Sequence, residues 1–237
     1  MFALDDPYIH LAVAENITRG GYGVNAQEFS SPSSSILYPL LLAVTVALGF
    51  GTAGPLLINT LATGLSVWLV VEFFWRHAVG ETARRTVFAH MVCPFLILAI
   101  NAFSLPLTGT EHSLHVLAVI VTMRGLVAMA ESGRAPVSLL VAVICMPFIR
   151  FEGIALSGAA VLTMGVLGQW RAVGLSSAAI FTGFGAWAVL MQRLGLPFLP
   201  SSVMSKSVIA ASAQAGGSVG IVAGMLHNLT AVRLGTE

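Results

Sequence analysis

Asp5 and Asp6 stand side by side near the start of the chain, directly ahead of Pro7. A partly desolvated carboxylate at a membrane surface is suited to act as a general base toward a hydroxyl. Asp6 followed by Pro7 also reads as a helix start: an N-cap acceptor, then proline at the first helical position. Asp5 falls one residue before that cap, so capping does not require its carboxylate. Glu111 lies in Leu107-Thr108-Gly109-Thr110-Glu111-His112, at the mouth of an apolar run. The helix dipole alone would favour an acid there. Arg150-Phe151-Glu152-Gly153 interrupts another apolar stretch. Opposite charges near membrane depth are costly, and they mark either a functional site or a self-neutralising pair. Lys206, the sole lysine, sits in the serine-rich stretch 199–207. There it could hold a phosphate or simply snorkel to the interface. His112 and His115 beside Glu111 are a thin basis for a metal site without further ligands. No cofactor is expected; a divalent metal is compatible with these residues but not indicated.

The elements that position these groups must be membrane helices. Apolar residues make up 57% of the chain and charged residues 9%, against about 25% charged in a soluble domain. Such a chain needs an apolar solvent, and a bilayer supplies one. Eleven basic and ten acidic residues nearly cancel, which leaves no basic stripe for nucleic acid. Cys93 and Cys145 both lie within apolar runs and read as packing residues. The start has no basic region and is acidic at positions 5 and 6, unlike a secretory signal.

Residues 7–19 read as a short amphipathic helix, with Ile9, Val13 and Ile17 at intervals of four. Gly20, Gly21 and Gly23 then form a turn, and a serine-rich loop surrounds Pro32. The run 36–50 is shorter than the roughly 20 residues that a span requires. Longer runs occupy 55–75, 86–104, 113–130 and 172–193. Two shorter ones share 137–168, and another begins near 219. The expected fold is an all-α polytopic transmembrane bundle of about six spans plus a juxtamembrane helix over 36–237. It is preceded by an external loop, 1–35, that holds the amphipathic helix. Arginines 76, 84, 85, 124, 134 and 171 mark the cytoplasmic turns. Counting crossings from these turns gathers Asp5, Asp6, Glu111, Arg150, Glu152 and Lys206 on one external face. Glu72 and Arg76, four apart, are placed to pair. Gly64, Gly158, Gly165, Gly183 and Gly185 would allow close helix packing. Asn16 and Asn228 stand in short glycosylation patterns of low specificity.

Several of these motifs resemble one family. Leu4-Asp5-Asp6-Pro7-Tyr8-Ile9 with Ala14-Glu15-Asn16-Ile17 and the following glycines resembles the first external loop of GT-C class membrane glycosyltransferases. These use polyprenyl-phosphate sugars and include bacterial mannosyl-, arabinofuranosyl- and aminoarabinosyltransferases. Ser31-Pro32, Thr108-Gly109-Thr110-Glu111, Arg150-Phe151-Glu152-Gly153 and Leu199-Pro200-Ser201-Ser202 with Lys206 are similar to later motifs of that family, in the same order. Phe151 stands where the third motif usually has proline.

The resemblance covers residues 4–207. It implies transfer of a sugar from a lipid-linked donor to a glycan, lipid or protein acceptor, with inversion, at the outer face of a bacterial inner membrane. Asp5 would be the base and Asp6 its support, and Glu111 would orient a substrate. Arg150, Glu152 and Lys206 would meet the lipid phosphate. Family members carry a helix before the aspartate pair and further spans at the C-terminus, so a fragment of a longer enzyme is expected. The other readings of the same residues are a transporter-like protein with a charged pathway and a catalytically inactive membrane protein.

Overall fold

A computed structural model describes residues 5–25, 28–77, 93–99 and 101–198. Among these the chain is entirely helical. In order, the helices are α1 (Asp6–Thr18), α2 (Leu37–Ala47), α3 (Gly54–His77), α4 (Cys93–Ala99), α5 (His112–Ser132), α6 (Val137–Ile149), α7 (Gly153–Val166) and α8 (Trp170–Arg193). Short 3₁₀ turns at Gly51–Ala53 and Leu105–Thr108 lead into α3 and toward α5. Among the described residues, three helices are long and apolar enough to cross a bilayer: Gly51–Arg76, His112–Ser132 and Trp170–Arg193. Leu61, Met123 and Phe181 lie exposed on their surfaces. Such a face would be a liability in water and suits acyl chains. The run expected over 86–104 is described only at Cys93–Ala99 and from 101 onward, and the one beginning near 219 lies outside the described residues.

The shorter apolar helices carry the positional information. At 11 residues, α2 rises only about 17 Å, far short of the roughly 30 Å hydrocarbon layer. It packs against α1 through Ala14, Tyr38, Leu42 and Ala43. Helices α6 and α7 form a hairpin whose turn holds Arg150, Phe151 and Glu152. Pro147 near the end of α6 and an extended backbone at Arg150 (φ −149°, ψ 139°) terminate the first arm. The arms are pinned by Ser157 Oγ donating to the Val143 carbonyl at 2.8 Å. A Cβ on Gly153 would overlap the Met146 carbonyl. Gly153→Ala is therefore expected to force the turn apart and destabilise the fold by about 1–3 kcal/mol, measurable by chemical denaturation in detergent.

The two ends of the bundle are chemically distinct. At one, Gln169 Nε2 donates to the Gly133 carbonyl at 2.9 Å and ties the α5–α6 turn to the α7–α8 turn. Arg134 lies in the first of these turns, and Arg171 is the second residue of α8. At the other end the α6–α7 turn meets the residues before α5, with Arg150 Nη1 2.8 Å from Glu111 Oε1. Arg134 and Arg171 thus lie at one end of the bundle, and Glu111, Arg150 and Glu152 at the other.

Three expectations are corrected. Asp6 is the first residue of α1 and Asp5 holds the N-cap position, with no side-chain capping bond; the helix begins one residue earlier than proline placement suggests. Of the glycines expected to allow close packing, Gly183 does so against Phe148, Gly165 would make only ordinary contact with Trp170, and added Cβ atoms at Gly64, Gly158 and Gly185 would meet open space; Gly125 and Gly153, not expected, abut Leu139 and Met146. Asn16 is buried, and its amide donates to the Gly23 and Val24 carbonyls at 2.8 and 3.1 Å. It clamps the glycine turn and is inaccessible as a glycosylation acceptor. The Glu72–Arg76 pair is present at 2.6 Å, and Arg124 of α5 joins the same carboxylate at 2.6 Å.

Candidate functional site

The serine-rich loop closes one side of the site because the C-terminus of α6 offers it an acceptor. The Phe148 carbonyl, in the last turn of that helix, receives the Ile36 amide at 3.0 Å and Ser35 Oγ at 3.3 Å. This docking brings Ser33 and Ser34 over the start of α5. Tyr38, fully buried, donates from its hydroxyl to the Gly109 carbonyl at 2.8 Å. Gly109 itself adopts φ +70°, a left-handed conformation that glycine takes without strain. The turn it allows sets Glu111 at the N-cap position of α5.

The Glu111 carboxylate makes no capping bond and points instead into a polar cluster. It is 2% exposed. Oε2 lies 3.1 Å from His10 Nε2, and Oε1 lies 2.8 Å from Arg150 Nη1. Ser34 Oγ donates to Oε1 at 3.2 Å. Burial pushes the carboxyl pKa up, but the hydrogen bond and charge of His10 and the charge of Arg150 outweigh it and hold it at about 2. Glu111 is thus an ionised carboxylate between two basic groups.

The protonation of His10 follows from its neighbours. Its Nδ1 lies 3.0 Å from Ser33 Oγ, whose own proton goes to the Ser35 carbonyl at 2.7 Å. Both ring nitrogens therefore face acceptors, an arrangement that calls for a proton on each. His10 also meets Tyr38 edge to face at 5.2 Å. Burial of this ring and of Glu111 makes the pair a structural commitment, since a buried charge is tolerated only when matched.

Acid should reveal that commitment. The folded carboxyl of Glu111 titrates below the ordinary value of 4.5. The ionised pair stabilises the fold above that value, and the contribution is lost as pH falls from 4.5 toward 2. The full loss amounts to about 3 kcal/mol at 1.36 kcal/mol per pKa unit. Denaturation midpoints measured in detergent from pH 6 downward are expected to fall in that window, and Glu111→Gln should flatten the profile.

Arg150 is the hub. Its Nη1 bonds Glu111 and lies 3.0 Å from His112 Nε2; its Nη2 bonds Glu152 Oε1 at 3.0 Å. Glu152 is largely exposed, at 69%. Burial raises its carboxyl pKa, but hydrogen bonding to Arg150 more than offsets this and lowers it. The Arg150–Glu152 contact is the local ion pair its spacing suggests, and Arg150 reaches a second, buried carboxylate as well.

Asp6 sits one helical turn before His10 and so shares its face of α1. It is exposed, and its charge acts on His112. Asp5 is exposed beside it. Asp6, Glu111, Arg150 and Glu152 are therefore gathered at one end of the bundle, with Asp5 next to them. Lys206 lies outside the described residues. Sequence reasoning missed His10, Ser33, Ser34, Tyr38 and the role of His112. The one available signal was the four-residue spacing of Asp6 and His10, which puts both on one helical face. Among the described residues no cluster has the makings of a metal site.

Two apolar grooves run from beneath the cluster. One, of about 400 Å³, is lined by Leu117, Ala118, Val121, Ala142, Cys145 and Ile149. The other, of about 390 Å³, is lined by Leu41, Val44, Ile58, Leu61 and Leu65. They share Leu114 and Leu117 of α5, and Leu114 stands one turn below Glu111. The arrangement can hold an anionic head at Arg150, offer carboxylates to a hydroxyl from Asp5 and Asp6, and accommodate an apolar chain between helices. Comparison with protein-family models, curated proteins and solved structures finds no match for this chain.

Proposed function

We propose that this chain forms the catalytic end of a membrane glycosyltransferase. It moves a sugar from a polyprenyl-phosphate donor to an acceptor hydroxyl at the outer face of the membrane. The observation that carries this reading is the convergence of Arg150 with exposed acids directly above apolar grooves. The phosphate would sit at Arg150 and its prenyl tail in a groove. An Asp5 or Asp6 carboxylate would accept the acceptor's hydroxyl proton as its oxygen bonds the anomeric carbon. The bond from that carbon to phosphate oxygen breaks with its electron pair going to the phosphate, where Arg150 offsets the gathering charge. A lipid phosphate so stabilised leaves without a general acid, and a single displacement inverts the anomeric centre.

Glu111 takes a different part from the one its motif implies. Its oxygens are already bound by His10, Ser34 and Arg150, so it positions Arg150 and leaves the exposed acids to meet the acceptor. A transporter reading would call for polar groups along a path between the ends of the bundle; the gathering of this cluster at one end favours the transferase.

Membranes carrying the chain should move label from a radiolabelled polyprenyl-phosphate sugar to an acceptor. Asp5→Asn and Asp6→Asn are expected to lower that rate by about 10²–10⁴-fold while leaving membrane insertion intact. Undiminished transfer in both variants would reject these residues as the source of the base.

A further inference from the structure

We propose that His112 is a second phosphate ligand, and that a phosphate arriving at Arg150 brings one proton onto His112 Nε2. The proposal rests on the reading of Arg150 as the phosphate partner and assigns to the site a proton-coupled mode of binding.

The starting state of His112 is fixed by a chain of hydroxyl groups. Thr108 Oγ1 donates to the Leu105 carbonyl at 2.8 Å. Its contact with Thr110 Oγ1 at 3.2 Å must then be donated by Thr110. Thr110, 1% exposed, has no further proton to give. Its contact with His112 Nδ1 at 2.7 Å is therefore donated by the ring. Arg150 Nη1 lies 3.0 Å from the other ring nitrogen, Nε2, and 3.5 Å from Nδ1, over the ring. A cation held this close to both nitrogens opposes a second proton on the ring, so with Nδ1 protonated Nε2 keeps its lone pair. His112 and His10 thus occupy opposite protonation states within one cluster, set by what each ring nitrogen faces.

A phosphate changes what Nε2 faces. The accessible edge of Arg150 is held by Glu152, an exposed carboxylate that a phosphate oxygen can displace. An anion settling between Arg150 and His112 would put an oxygen lone pair against the lone pair of Nε2. Protonation turns that repulsion into a charge-assisted N–H···O bond. The ionisable groups around the ring are arranged for the change. Burial and the charge of Arg150 oppose a proton on His112, and Glu111, Glu152 and Asp6 favour it. An anion on Arg150 cancels the opposing charge. The cluster then meets the phosphate with a guanidinium and an imidazolium.

The test is calorimetric titration of the full chain in detergent with dodecyl methyl phosphate, a diester whose single charge does not titrate near neutrality. Buffers of different ionisation heat report proton exchange. The expected result is uptake of about one proton per probe above the pKa of the free ring, with affinity rising by up to about tenfold per unit fall in pH there. His112→Gln should bind the probe without proton uptake and without that pH dependence. A second readout needs no variant: ¹⁵N-histidine NMR of the wild type should show one neutral ring becoming protonated as the probe is added. Binding with no proton exchange and no change in the histidine signals would overturn the proposal and leave the Arg150 reading intact. Absence of binding by the wild type from pH 6 to 8 would overturn both.

Discussion

Replacing Arg150 with methionine is expected to slow sugar transfer by about 10²–10³-fold, the scale reached when a preorganised charge is removed from a developing oxyanion. Bond cleavage to phosphate concentrates charge on the leaving oxygen. Arg150 is held by two anchors: Glu111 through Nη1, and the end of α6 through the Met146 carbonyl, which receives its backbone amide at 3.1 Å. Methionine keeps the apolar stem and removes the charge. Arg150→Lys retains charge but cannot reach Glu111, His112 and Glu152 at once, because the guanidinium fork meets them through two separate nitrogens. It should fall between the wild type and methionine. Rates must be taken per folded molecule, measured beside Asp5→Asn, since loss of Arg150 also leaves Glu111 with one basic partner.

The second large effect is on stability. Glu111→Leu should destabilise the chain by about 3–5 kcal/mol, the range found when one member of a buried charged set is removed. The lost carboxylate is the acceptor that His10 Nε2 and Arg150 Nη1 share, and without it the buried His10 loses its anionic partner beside a partly buried guanidinium. His10→Leu in the same background should recover part of the loss, because it removes one of the two unmatched groups. Unfolding by denaturant in mild detergent reads both numbers. An additive double variant would mean that His10 and Glu111 do not act as a pair.

The long helices were legible because apolar runs of that length have few alternatives. The run expected over 55–75 is found at Gly54–His77, and that over 172–193 at Trp170–Arg193. The break at Arg150 was equally plain, since charge and glycine interrupt hydropathy there. Glu111, Arg150 and Glu152 could be nominated for the same reason: isolated charges in an apolar chain have few places to go. What could not be read was which neighbour each would find. His10 and Glu111 are joined only when α1 docks on α2 and the serine loop docks on Phe148, and no local pattern encodes that meeting. The glycine roles held at Gly183 but were otherwise misplaced for a related reason. Composition shows that a helix carries glycine, while the face it turns to a neighbour depends on packing, so glycines 125 and 153 were missed where Gly64 and Gly158 were nominated. The start of α1 was displaced by one residue because capping preference tolerates either aspartate at that position.

The central claim is that Arg150 and the acids beside it cleave a sugar–phosphate bond. The most direct measurement is ³¹P NMR of the purified chain in detergent with a polyprenyl-phosphate sugar and an acceptor. The diester resonance of the donor should decline and a phosphomonoester resonance should rise in step, and Arg150→Met should suppress both changes. A diester resonance that persists unchanged beside folded wild-type protein, across a panel of pentosyl and hexosyl donors, would contradict the account and reduce the cluster to a structural ion network.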